Sequence, residues 1–140
     1  MKILHLNFIP RSADVALLLL RIWYGASMLL LHGWGKLTGY SAMAEKFGDP
    51  IGLGPKLSLA LVVLAEVVGS VLLVLGAFTR VAALLLIVDL GVAFWIAHGH
   101  KLTGAGNGEL AFLFLGVYVA LFIAGAGKHS VDANIGGAKG

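Results

Sequence analysis

The sequence is mostly hydrocarbon, and the groups able to hold a ligand or move a proton stand out by position. His32 and Lys36 close the run LLLHGWGKLTG, four residues apart and therefore on one face of a helix. Met28, Gly25 and Arg21 continue that stripe at helical spacing. His98, His100 and Lys101 end a later apolar run, and Glu109 opens the next. An imidazole or ammonium donates hydrogen bonds, and a neighbouring carboxylate can fix an imidazole tautomer. His32, Lys36, Glu109 and His98 therefore read as a site for the polar head of an otherwise apolar ligand. The alternative is a belt of interfacial anchors shared with Trp34 and Trp95. Histidine and glutamate also bind metals, but the HGH pair is a poor helical chelate because positions two apart point about 200° apart. No metal site is expected.

These residues must be positioned by long apolar elements. Of the 140 residues 59% are hydrophobic and 12% charged, and the mean hydropathy is +0.96, which leaves too little polar surface to cover a water-soluble globule. Four windows, about 14–37, 57–78, 80–98 and 108–126, approach or exceed the roughly 20 apolar residues that cross a bilayer core. The expectation is an all-α integral membrane four-helix bundle forming a single membrane domain over 1–140, with a short interfacial helix in the first loop, SAMAEKFGDPIGLGP. The opening MKILHLNFIPRSAD, broken by Asn7, Pro10 and Arg11, reads as an interfacial lead-in rather than a cleaved signal. GAFTR is short enough to make the second and third spans an antiparallel hairpin, and Gly69, Ser70 and Gly76 allow close approach.

With four spans both termini share one side, A, and His32 and His98 emerge on the other, B. HGWGKLTG and HGHKLTG form an internal echo, with Gly25 and Gly91 each seven residues before their histidine. Lys2, Arg11, Arg80, Lys128 and Lys139 fall on A, against Lys36, Lys46, Lys56 and Lys101 on B, so the positive-inside rule places both termini in the cytoplasm by a margin of one residue. The long first loop and the polar cluster predict an opening on B and a seal on A. The net charge of +3 comes from scattered rather than striped cations, so no nucleic-acid partner is expected; the bilayer is. No cysteine is present, so thiol redox chemistry is excluded within this chain.

Arg21 lies about 10 Å inside side A, at a cost of about 2.5 kcal/mol. It can snorkel to the headgroups or pair inside the bundle. Glu66 and Asp89 lie near the bilayer midplane, where an unpaired carboxylate is costly. An intramembrane ion pair of Arg21 with Glu66 is expected, with Asp89 the main competitor.

The segments LLLRIWYGASMLLLHGWGKLTGY, LAEVVGSVLLVLGAFTRVAALLL, NGELAFLFL and GAGKHSVD, in this order, resemble the DoxX family of small bacterial and archaeal membrane proteins, over about Asp14 to Asp132. The family motif falls on Arg21, His32, Gly33, Lys36, Glu66, Gly69, Arg80, Glu109, Gly127, Lys128, Ser130 and Asp132; Asp89 is outside it. The resemblance implies a four-helix bundle in the inner membrane. It also implies a link to redox metabolism, since members are associated with terminal quinol oxidase, thiosulfate:quinone oxidoreductase, and quinone or catechol stress. Quinone becomes the expected ligand, its carbonyl bound by His32 and Lys36 with Glu109 orienting His32.

Three functions compete. The first is an accessory or anchoring subunit that supports quinone-linked membrane redox metabolism, docked on a redox complex or assembled as a homo-oligomer. The second is a small-molecule or proton-coupled transporter built on the midplane acids. The third is a quinone-dependent oxidoreductase, for which the chain offers no electron carrier of its own. The first asks least of the residues present and is the expectation carried forward.

Overall fold

The computed structural model describes Leu4, Leu6 and residues 8–136. Lys2, Lys139 and much of the expected lead-in segment lie outside the described residues. Among those described, the secondary structure is entirely helical. Helix α1 spans Ala13–Thr38, α3 Pro55–Leu75 and α4 Thr79–Ala97, each long and apolar enough to cross a membrane; α5, Glu109–Ala124, is shorter. Its 16 residues span about 24 Å, several ångströms short of a typical hydrocarbon core. Two short helices complete the set: α2, Tyr40–Met43, in the first loop, and α6, Val131–Ile135, in the tail.

Local chemistry sets the boundaries. Ser12 caps α1 by accepting from the Val15 N–H at 3.2 Å. Pro55 opens α3 at a position where its missing N–H costs nothing. The sequence places the end of the second span near Phe78, but α3 stops at Leu75. Gly76 adopts the left-handed conformation (φ +67°), and the N–H groups of Gly76 and Ala77 return to the carbonyls of Leu73 and Leu72. Asn107 caps α5 through the Glu109 N–H at 3.0 Å.

The protein is a helical membrane bundle in which α1 packs on α3, α3 on α4, α4 on α5, and α5 closes back on α1. Leu73, Ala82, Ala83, Leu86, Tyr118 and Leu121 fill its centre. The Tyr118 hydroxyl donates to the Tyr24 carbonyl at 3.1 Å, so no polar tip is stranded there. Large apolar side chains such as Trp23, Leu31, Val88 and Ile123 point outward, an arrangement that suits acyl chains and not water.

At the end where α1 begins and α5 finishes, the tail folds over the bundle. The Asp132 carboxylate accepts from the N–H groups of Phe78 (2.7 Å) and Thr79 (2.9 Å), the otherwise unpaired donors at the start of α4. The Asp132 N–H in turn donates to the Gly76 carbonyl at 2.9 Å. Lys128 bonds Asp14 through its backbone N–H at 2.9 Å. The hairpin between α3 and α4 is thus clamped by Asp132, more than fifty positions away.

Candidate functional site

Three of the long helices contain one widened, π-helical turn: Leu29–Gly33 in α1, Leu64–Gly69 in α3 and Ala93–Ala97 in α4. Such turns are uncommon and concentrate where function displaces regular packing. The first holds His32, the second holds Glu66, and the third runs directly into His98. All three converge on one cavity of about 280 Å³ at the side B end of the bundle.

Lys36 and Glu66 form the polar centre of that cavity. The Lys36 ammonium donates to both carboxylate oxygens of Glu66, at 2.7 and 2.6 Å. The side chains are 22% and 7% exposed, so the pair is largely removed from water. Gly33 makes the contact attainable. A Cβ there would come within 2.9 Å of the Glu66 carbonyl oxygen, so only glycine lets the α1 backbone lie this close to α3.

The histidines take different roles. His98 Nδ1 lies 2.9 Å from the Gly106 carbonyl oxygen. A carbonyl only accepts, so Nδ1 carries a hydrogen, and in the neutral ring Nε2 is an acceptor. His32 is half-buried, with its ring edge against Phe114 at 6.2 Å between centroids. Its nitrogens have no hydrogen-bond partner among the described residues. Met28, Leu90 and Phe114 supply the apolar wall. The cavity thus offers an uncommitted imidazole, an acceptor nitrogen, a paired ammonium with one N–H to spare, and a hydrocarbon lining.

Of the residues expected at this site, His32, Lys36 and His98 line the cavity together, and Glu109 does not. Glu109 is exposed on the first turn of α5; the rim there is formed by Asn107 and Gly108 instead. The expected orientation of His32 by Glu109 is therefore corrected.

The expected pairing of Arg21 with Glu66 is corrected as well. Arg21 is fully buried, but its guanidinium donates to the His129 carbonyl in the tail and faces Asp132. The reason is directional. The Cα–Cβ bonds of a helix lean toward its N-terminus, so Arg21 on α1 reaches toward side A while Glu66 on the antiparallel α3 reaches toward side B. Their Cα atoms lie at similar depths, roughly 12 Å and 13 to 14 Å from the side A ends of their helices. Their side chains diverge all the same. Asp89 pairs with neither, and lies half-buried in a separate cavity. Sequence reasoning missed Lys36 as the partner of Glu66, Phe114 and Asn107 as lining, and the tail as the partner of Arg21. The same leaning rule, applied to Lys36, would have found the first of these.

The polar cavity lies on side B as expected, but the expected seal on side A is corrected: the tail covers Arg21 there and leaves a shallow, open cavity of about 610 Å³ lined by Asp14, Thr79, Arg80, Lys128 and Asp132. Outside the spans, one carboxyl is clearly perturbed by that cover. Partial burial would raise Asp132, but the N–H donors of Thr79 and Phe78 and the charge of Arg21 outweigh it and hold the group below the usual carboxylate range.

The DoxX family model matches residues 16–99. A Haemophilus influenzae (strain ATCC 51907 / DSM 11121 / KW20 / Rd) protein recorded only as "Uncharacterized protein" is 35% identical over 115 residues, covering 76% of this chain and 81% of its own. "Inner membrane protein YqjF" of Escherichia coli (strain K12) is 29% identical over 123 residues, covering 85% and 91%. No solved structure matches the chain.

Proposed function

The chain belongs to the DoxX family of membrane proteins, and from that premise we propose that it binds the head of a quinone in the side B cavity, as an accessory or anchoring subunit of quinone-linked membrane redox metabolism. The observation that carries this reading is the convergence of His32, His98 and the Lys36–Glu66 pair, from three helices, on one cavity with an apolar wall. A quinone has two carbonyl acceptors and an apolar body, and supplies two-electron redox chemistry when bound. The cavity fits such a head, since its free donors are the His32 imidazole and the third N–H of Lys36. Glu66 holds Lys36 in place and partly neutralises it. His98 Nε2 is placed to accept from the hydroxyl of the reduced form. Met28 and Phe114 leave an apolar path for the start of a tail.

The same reading treats the chain as one membrane domain in the inner membrane, with both termini in the cytoplasm on the side of Arg11, Arg80 and Lys128. Its protein partner is a membrane redox complex.

Titration of a short-chain quinone into detergent-solubilised protein tests the site. Wild type is expected to bind saturably, and His32→Ala to lose at least about tenfold, or about 1.4 kcal/mol. Glu109→Gln is expected to bind like wild type because its side chain is outside the cavity. Equal affinity for wild type and His32→Ala would remove the proposal.

A further inference from the structure

Asp89 opens onto a second cavity, of about 310 Å³, at the outer face of the bundle between α3 and α4. Its mouth is framed by Leu61 and Val88, both substantially exposed to the acyl-chain region. Phe47 and Ile51 from the first loop form its roof. That roof is held in place by Asp49, whose carboxylate accepts from the N–H groups of Leu53 (2.8 Å) and Gly54 (2.9 Å) and from the Ser58 hydroxyl (3.0 Å). The volume sits at the lower bound of small-molecule sites, roughly 300 to 1,000 Å³.

The lining is hydrocarbon except for Asp89 and Ser58, and the Ser58 hydroxyl is already committed to Asp49. Asp89 has no salt-bridge or hydrogen-bond partner among the described residues. Lys36, a cation on α1, is held by both oxygens of Glu66. The two cavities are distinct: Ala65 and Asp89 face this one, while the adjacent Glu66 and Leu90 face the other. An acyl chain filling this space would satisfy the walls and leave the carboxyl without a partner. A neutral donor would satisfy one lone pair but not the charge that the carboxyl carries when ionised. An ammonium on an apolar body satisfies both.

We propose that this membrane-facing cavity is a binding site for a small lipophilic amine, with the ammonium on Asp89 and the apolar body under the Phe47–Ile51 roof. The ligand reaches it laterally from the bilayer, where amphiphilic amines concentrate. The site is independent of quinone binding.

Equilibrium dialysis against protein in phosphatidylcholine nanodiscs, with empty nanodiscs as reference, tests this using 4-phenylbutylamine and its neutral counterpart 4-phenylbutanol. Wild type is expected to bind the amine saturably, and the alcohol at least about tenfold more weakly. Asp89→Asn should lose the same factor for the amine, and His32→Ala should lose nothing. Leu61→Trp, which fills the mouth without touching a charge, should also weaken amine binding, and carries the test should Asp89→Asn not reconstitute. The proposal is overturned by equal amine binding in wild type and Asp89→Asn, by amine binding in Leu61→Trp equal to wild type, or by no saturable excess over empty nanodiscs. A loss in His32→Ala as large as that in Asp89→Asn would place the amine in the other cavity and also overturn it.

Discussion

Lys36 and Glu66 meet because each side chain leans toward the N-terminus of its own helix, and the two helices run in opposite directions. Lys36 reaches down from side B while Glu66 reaches up, and the pair closes in a site largely removed from water. Removing one partner strands the other charge. Glu66→Gln and Lys36→Gln should each lower unfolding stability in detergent by about 3 kcal/mol, the low end for a buried pair because Lys36 keeps 22% of its side-chain exposure. The double replacement Lys36→Met with Glu66→Leu should cost less than either single change, since no charge is left unpaired. Denaturant melts of the three variants check this; a Glu66→Gln protein as stable as wild type would rule out the pair. The types and depths of these residues were legible in the sequence. Their partners were missed because depth along a helix locates only a Cα; the lean of each long side chain toward its helix N-terminus has to be added to it.

Packing of α1 on α3 depends on a single missing side chain at each close approach. At Gly33 an added Cβ would press on the Glu66 backbone, whereas at Gly35, two residues on, it would meet open space. Gly33→Ala should therefore destabilise the bundle by about 1 to 3 kcal/mol through overpacking. Gly35→Ala should be neutral, or stabilising by up to about 1 kcal/mol from helix propensity. Thermal unfolding of the two variants side by side measures the difference, and equal melting temperatures would count against the contact. The four long helices were readable from hydropathy alone, and the tight hairpin from GAFTR. The π-helical turns were not readable, because the residues in Leu29–Gly33 and Leu64–Gly69 are as compatible with an ordinary α-turn. Tertiary fit, including the approach at Gly33, selects the wider one.

The whole molecule is tied together at side A by its tail, which joins α1 and the α3–α4 hairpin to α6 through Arg21, Asp132 and Lys128. Loss of the Asp132 carboxylate should leave the first N–H groups of α4 uncapped. Asp132→Ala is expected to lower stability by about 1 to 2 kcal/mol. The pH dependence has a definite sign. A carboxyl held below its ordinary value when folded contributes stability that is present above about pH 4, where the unfolded group is ionised, and is lost as pH falls through the folded value. Wild type should therefore lose more stability than Asp132→Asn on acidification below about pH 4, as followed by chemical unfolding across a pH series. Parallel curves for the two proteins would exclude the clamp. This contact was invisible to periodicity because Asp132 and the turn it caps are separated by 53 or 54 residues. Only the resemblance of GAGKHSVD to a family motif singled it out.

The reach of Arg21 into that tail has a consequence for the order of events during synthesis. Arg21 is made early and must sit in the membrane with the rest of α1, yet the carbonyl it bonds belongs to His129, 108 residues later. Until then no part of the chain already made can offer it the partner it finally takes. The first helix should therefore remain provisional at the insertion machinery or in the bilayer, with its arginine toward the headgroups, while α3, α4 and α5 are added. Arrival of the tail converts a tolerated intermediate into a locked bundle. Ribosome-stalled chains ending before Gly127 should accordingly leave position 21 open to water-borne reagents, and chains that expose residues 128–132 should not.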